Sequence, residues 1–73
     1  MTYELTLVEK RLVIARTWAK RVEKLLKGGV SEASFCRKHN FHASYFNRNK
    51  NIRVVPTQRT VDAFEKALSE EGV

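Results

Sequence analysis

The chain is poor in the residues that mark disulfide-rich, loop-rich or membrane proteins. Its 73 residues include one cysteine, one proline and three glycines, and no apolar run approaches the length of a membrane span. One cysteine cannot form an intramolecular disulfide, which fits a reducing compartment, and no charged-then-apolar signal segment opens the chain. These absences predict a single domain in the cytoplasm, not associated with a membrane.

Acidic residues are missing from a long central stretch. Between Ala33 and Val61 there is no Asp or Glu, although the whole chain has eight. The basic residues of this stretch are Arg37, Lys38, Arg48, Lys50, Arg53 and Arg59. The net charge is +6, so one face is expected to be electropositive and suited to a phosphate backbone. A basic surface that only solubilises the protein is the simpler alternative, and charge alone does not decide between the two.

Apolar residues at helical spacing predict an all-α fold. Thr6 and Glu9 have the spacing of a capping box, so a long helix is expected to begin there. Gly28 and Gly29 are expected to end it. The residues predicted to face inward recur in steps of three and four; they are Leu12, Ala15, Trp18, Ala19, Val22, Leu25 and Leu26.

Two short helices are predicted in the middle of the chain. Ser31 is the expected N-cap of the first, over about 31–39, and the second is expected over 43–50. Asn40 between them tolerates the positive φ that a tight turn needs. Residues 31–50 therefore have the pattern of a helix-turn-helix.

The residues expected to pack in the core of a helix-turn-helix domain are also present in this segment and after it. Cys36 is the small residue expected where the two helices meet, and Phe41 and Phe46 are the apolar residues expected after the turn and inside the next helix. A final helix is predicted with Thr57 as its N-cap. Its buried stripe is predicted to be Val61, Phe64, Ala67 and Leu68. Residues 70–73 are expected to fray.

Over residues 8–70 the chain resembles the lambda repressor and Cro-type, or Xre-type, helix-turn-helix family. The resemblance rests on the long first helix, Phe35-Cys36, Asn40-Phe41, Phe46-Asn47-Arg48, the basic loop to Val55-Pro56-Thr57 and a last helix ending in Ala67-Leu68. It implies a compact all-α domain of four to five helices over residues 1–73. Asn49 departs from the family pattern, which usually has an apolar residue there.

The resemblance also implies which residues touch DNA. The helix over 43–50 is expected to enter the major groove with its N-terminal half toward the bases. The expected base-reading residues are Ala43, Ser44, Asn47 and Arg48. Arg pairs with guanine and Asn with adenine, each worth about 1–3 kcal/mol of discrimination. The expected phosphate contacts are Lys38, Tyr45, Lys50, Asn51, Arg53, Thr57 and Arg59. The simpler alternative is that Asn47 and Arg48 are only solvated.

A metal site and a catalytic site are less well supported by the sequence. Cys36, His39 and His42 are close enough along the chain for a metal, but a structural zinc site needs a fourth ligand, and none is evident. A thiol in the core beside a histidine with no orienting third group does not make a nucleophile. Trp18 falls on an apolar stripe and is expected in the core. No enzyme activity, metal, cofactor or small-molecule ligand is predicted.

The resemblance therefore implies a sequence-specific regulator of transcription that binds double-stranded DNA. A repressor of phage or mobile-element type is expected, acting as a homodimer on a pseudo-palindromic site in the bacterial cytoplasm or nucleoid. Two alternatives stay open. A protein-binding adaptor or antiactivator would keep the fold without DNA recognition, although the acid-free stretch argues against it. A nonspecific nucleic-acid-binding protein usually has an exposed aromatic platform, which the sequence does not indicate.

Overall fold

The computed structural model describes residues 6–73, and this part of the chain contains five α-helices and no strand. The helices are α1 (Leu7–Ala15), α2 (Trp18–Lys27), α3 (Glu32–Lys38), α4 (Ala43–Lys50) and α5 (Gln58–Glu70). The all-α class is confirmed, and α4 has the bounds predicted for it.

The long first helix predicted from the sequence is divided in two. A turn at Arg16 and Thr17 separates α1 from α2, and the Thr17 hydroxyl donates a hydrogen bond to the carbonyl of Ile14 at 2.7 Å. A threonine that bonds a carbonyl in the preceding turn bends a helix. The two halves can therefore follow different paths over the core.

The buried stripe of α2 is narrower than its sequence predicts. Trp18, Val22 and Leu25 are buried, whereas Ala19 and Leu26 are exposed. The helix packs mainly against α1 and α5, which leaves the flanks of the apolar stripe uncovered. The prediction that Ala19 and Leu26 face inward is therefore wrong.

Local predictions at the helix ends are confirmed. The capping box of Thr6 is present, and the hydroxyls of Ser31 and Thr57 accept backbone N–H groups three residues further on. Asn40 has a φ of 59° and Gly29 a φ of 95°. The hydroxyl groups cap helix starts through contacts within a few residues of themselves. Asn40 and Gly29 end helices through their own left-handed backbone conformation.

The core is built around Phe64 of α5. Its ring stacks on Trp18 with centroids 4.4 Å apart and on Phe41 at 4.9 Å, and it lies 5.9 Å from Phe46. Trp18, Phe46 and Phe64 are almost completely buried, and the half-buried Phe41 packs against them. Aromatic pairs at such distances add stabilisation beyond the area that they bury. The core thus joins α2, α4 and α5 and fixes the position of α4.

Residues after α5 are held against the rest of the protein. Lys38 of α3 donates a hydrogen bond to the Glu71 carboxylate at 2.9 Å, and this bond helps to keep the pKa of Glu71 below its ordinary value. The guanidinium of Arg21 donates to the main-chain oxygen of Val73 at 3.0 Å. Because these contacts come from α2 and α3, the prediction that residues 70–73 fray is wrong.

A polar cluster at the edge of the core joins α2 to α5. The carboxylate of Glu65 accepts hydrogen bonds from the Trp18 indole at 2.9 Å and from the Arg21 guanidinium at 2.8 and 2.9 Å. Burial by itself raises the pKa of Glu65, but the hydrogen bonds from Arg21 and Trp18 outweigh it and the pKa lies below its ordinary value. This carboxylate therefore stabilises the fold above the ordinary pKa of glutamate, and the contribution is lost as the pH falls through the lowered pKa.

The substitution Glu65→Gln should lower the free energy of unfolding at pH 7 by about 1 kcal/mol, because Arg21 loses a partly buried charged partner. The difference from wild type should shrink as the pH falls from about 5 toward 3. Thermal unfolding at both ends of that range measures it. Glu23→Gln is the matched control, since its carboxylate meets Lys27 in an exposed pair at 3.2 Å. An equal effect of the two substitutions at pH 7 would contradict the prediction.

Candidate nucleic-acid interface

A turn of four residues, 39–42, joins α3 to α4. The Phe41 amide donates to the Cys36 carbonyl at 2.8 Å, a bond typical of a helix that ends in a left-handed residue. The His42 imidazole caps α4 by accepting the Ser44 amide at 3.3 Å. This cap is not predictable from the sequence, because histidine is not among the usual N-cap residues. The result is the predicted arrangement of two short helices and a tight turn.

The predicted base-reading residues lie on the exposed side of α4. Ala43, Ser44, Asn47 and Arg48 are all exposed. The Ser44 hydroxyl lies 2.8 Å from Nδ1 of His42, and the Asn47 side-chain oxygen accepts from Asn51 at 3.3 Å. Within residues 6–73 the Arg48 guanidinium makes no hydrogen bond or ion pair. Donors and acceptors of three side chains are thus presented along one side of a single helix.

The predicted phosphate contacts divide into two groups. The exposed group consists of Asn51, Arg53, Thr57 and Arg59, and these residues follow α4 or begin α5. In the part of the chain that the structure describes, the guanidinium groups of Arg53 and Arg59 have no acidic partner. They are therefore free to meet a phosphate next to the exposed side of α4.

The other three predicted phosphate contacts each meet a side chain from a distant part of the chain. The pairs are Lys50 with Glu32 at 2.7 Å, Lys38 with Glu71 at 2.9 Å, and the Tyr45 hydroxyl with Thr60 at 2.8 Å. These partners lie between 15 and 33 residues away in the sequence. Spacing along the chain therefore could not reveal them. Each partner competes with a phosphate for the same side chain, and it does so least at Lys38, whose side chain is 63% exposed.

Asn49 is buried at the end of α4, at a position where the resembled family has an apolar residue. It is 4% exposed, and its amide nitrogen donates to the Tyr45 carbonyl at 2.8 Å. Its side-chain oxygen is buried and has no partner among the described residues. A buried acceptor without a partner costs about 1–3 kcal/mol. Asn49 therefore adds a hydrogen bond within α4 and leaves a buried oxygen unpaired, at the expense of stability.

We expect Asn49→Leu to raise the free energy of unfolding by about 1–2 kcal/mol, because leucine has a similar size and removes the unpaired oxygen. Chemical denaturation of the purified protein measures the change. The control is Asn47→Leu on the exposed side of the same helix, which should change the free energy by no more than about 0.5 kcal/mol. A variant at Asn49 that is less stable than wild type would show that the buried amide contributes net stabilisation.

The residue after the C-cap of α4 has a strained backbone conformation. Ile52 has a φ of 55°, in the left-handed region that β-branched side chains rarely adopt. The Arg53 amide donates to the Arg48 carbonyl at 2.9 Å, a pattern in which glycine usually precedes the donor. The position of the basic loop is therefore set directly by the last turn of α4.

Cys36, His39 and His42 have roles in packing and hydrogen bonding within the helix-turn-helix segment. Cys36 is buried, and burial raises the pKa of its thiol. The His39 Nε2 lies 3.2 Å from a carboxylate oxygen of Glu71. No cluster of three or more potential metal ligands is found among residues 6–73. The helices of the same part of the chain are each too short or too polar to cross a bilayer.

Comparison with family models, curated proteins and solved structures gives no match to this chain. Its function is therefore inferred from the chemistry and placement of its own residues.

Proposed function

We propose that the protein is a sequence-specific regulator of transcription that binds double-stranded DNA with α4 in the major groove. The observation that carries the proposal is the exposed side of α4, where Asn47 and Arg48 present the amide and guanidinium groups best suited to adenine and guanine. Among residues 6–73, Arg53 and Arg59 have no acidic partner, and the Arg53 amide donates to the Arg48 carbonyl at the end of α4. This combination provides base contacts and phosphate contacts on adjacent surfaces.

The anchoring of α4 supports direct reading of bases. Phe46 is buried in the core, the Tyr45 hydroxyl bonds to Thr60 of α5, and Lys50 pairs with Glu32 of α3. Side chains on the opposite side of the helix are therefore held in a fixed orientation. Such preorganisation favours hydrogen bonds to defined base edges over nonspecific contact.

The finer assignment follows the resemblance seen in the sequence. We propose a lambda repressor-like, Xre-type domain that acts as a homodimer on a pseudo-palindromic operator in a bacterial or phage-infected cytoplasm. The short turn at 39–42 and the acid-free stretch support this assignment. Repression by such a protein needs occupancy of the operator only, so the proposal includes no enzyme activity, cofactor, metal or small-molecule ligand.

Selection from random duplex DNA tests the proposal. The wild-type protein should enrich a two-fold symmetric sequence whose half-sites are about 34 Å apart. Binding without enrichment would indicate a nonspecific nucleic-acid-binding protein. The absence of binding at moderate salt would contradict the proposal and favour an adaptor that binds another protein. Salt dependence alone cannot separate the first two outcomes, because both rest on phosphate contacts.

A further inference from the structure

The outward side of α2 carries basic residues that do not hold the fold together. Elsewhere, basic side chains join distant parts of the chain; the pairs are Arg21 with Glu65 at 2.8 Å, Lys38 with Glu71 at 2.9 Å and Lys50 with Glu32 at 2.7 Å. Lys20 and Lys24 are exposed on α2, and neither has an acidic partner among residues 6–73. Their charges therefore remain available to another molecule.

These two lysines belong to a row of four basic residues along one side of the helix. Residues three or four apart are neighbours on a helix surface, and Lys20, Lys24 and Lys27 line one shallow depression. The exposed C-cap of α1, Arg16, lies four residues before Lys20 and extends the row. From Lys20 to Lys27 the row covers about 10 Å of the helix axis. The α2 row consists of Arg16, Lys20, Lys24 and Lys27.

The α2 row opposes the stability of its own helix. Like charges three or four residues apart repel each other, and a side of a helix that is only solvated usually carries both signs. Glu23 is the one acidic residue of α2. It meets Lys27 at 3.2 Å, but the two side chains are 60% and 76% exposed, and such a pair contributes little. The fold itself therefore gives no reason for this concentration of positive charge.

We propose that the α2 row binds the phosphate backbone of double-stranded DNA. A duplex carries about one negative charge per 1.7 Å of its axis, so a row about 10 Å long faces several phosphates. Lysine meets phosphate as a flexible point charge. Trp18 is the one aromatic residue of α2 and is buried, so the row lacks the stacking surface typical of single-strand binding. Lysine is also depleted in protein interfaces, which favours DNA over an acidic protein.

The α2 row and the exposed side of α4 are separate surfaces. Trp18 of α2 and Phe46 of α4 both lie beside the Phe64 ring, so each helix turns its outward side away from the core. The neighbours of α2 are α1 and α5, whereas α4 packs against α3. The row can therefore hold phosphates while α4 occupies a major groove. The inference goes beyond the proposed function, because phosphate binding by α2 needs no base contact from α4.

Capture of one duplex by protein bound to another tests the proposal. Wild-type protein on an immobilised selected duplex should retain a labelled scrambled duplex from solution. The double variant Lys20→Gln, Lys24→Gln should stay on the selected duplex but lose the labelled one. For the residual capture, the slope of log affinity against log salt concentration should fall by about two.

The matched control removes the same charge from other parts of the surface. Lys10→Gln combined with Lys66→Gln changes exposed lysines of α1 and α5 that have no acidic partner among residues 6–73. This variant should capture the labelled duplex like wild type. An equal loss in the two double variants would overturn the proposal in favour of an effect of net charge. Full capture by the Lys20, Lys24 variant would also overturn it and leave an acidic protein as the better candidate partner.

Two further measurements complete the test. The Lys20, Lys24 variant should resist denaturant at least as well as wild type, because repulsion is removed; a less stable variant would mean that the row serves the fold and would overturn the proposal. Affinity for selected duplexes with short and long flanks separates the two sources of phosphate. A loss confined to long flanks places the row on the same duplex, whereas loss of capture alone places it on a second one; both support the proposal.

The outcome is distinguishable from failure of the proposed function. If α4 reads no bases, Asn47→Ala with Arg48→Ala should leave binding to the scrambled duplex unchanged, and the added glutamines at positions 20 and 24 should abolish it. That result would support the α2 row and refute the proposed function. Selective binding that requires α4, with no effect of the two lysines on any duplex, would do the reverse.

Discussion

Replacing Asn47 and Arg48 together by alanine should abolish the sequence preference of the protein while leaving its fold intact. Each bidentate base contact contributes about 1–3 kcal/mol, so loss of both should lower the affinity for the selected duplex at least about thirtyfold. Both side chains are exposed, and their loss should change the free energy of unfolding by no more than about 0.5 kcal/mol. Fluorescence anisotropy with the selected duplex and with a scrambled duplex measures the effect.

The control replaces Arg53 and Arg59 by alanine, because Asn51 donates a hydrogen bond to the Asn47 side chain and is not independent of it. The two arginines follow α4 and are expected to hold phosphates. Their loss should weaken binding to both duplexes by a similar factor and reduce the dependence of affinity on salt. If the two double variants behave alike, the exposed side of α4 does not read bases, and the proposed function is wrong in its specificity.

Phe64→Ala should remove most of the stability of the domain. The ring contacts Trp18, Phe41 and Phe46 and is completely buried. Loss of a buried phenylalanine costs about 3–5 kcal/mol through lost transfer energy and the cavity left behind, which is a large part of the stability of a domain of this size. Denaturant unfolding followed by circular dichroism measures the change.

Phe41→Ala provides the comparison for that result. Phe41 stacks on the same ring of Phe64 but is only half-buried, so its removal should cost about half as much. The ordering of the two variants is the critical result. A larger loss at Phe41 would mean that the turn, and not the centre of α5, organises the core.

Much of the local structure was predictable because its causes lie within a few residues. Thr6, Ser31 and Thr57 cap helices through side chains that reach their own next turn. Asn40 ends α3 through its tolerance of a positive φ, and the apolar period of α5 matches its buried face. The exposed side of α4, and with it the placement of Asn47 and Arg48, follows from the same periodicity.

The other contacts were not predictable because they join residues that are far apart in the sequence. A sequence pattern shows that Lys38, Tyr45 and Lys50 are polar and lie near the helix-turn-helix segment, but not that each meets a partner far along the chain. The same limit applies to residues 70–73, which are held by side chains of α2 and α3.

The sequence by itself determined the class of the fold, the bounds of α4 and the residues that α4 exposes, because these depend on caps and on helical period. Only the tertiary structure decided where the first helix divides, which basic residues remain unpaired and which apolar side chains stay uncovered. Those features depend on the packing of helices that are distant in sequence. Arg11 and Pro56 show this most clearly, since the hydrogen bond between them brings α1 beside the loop that follows α4.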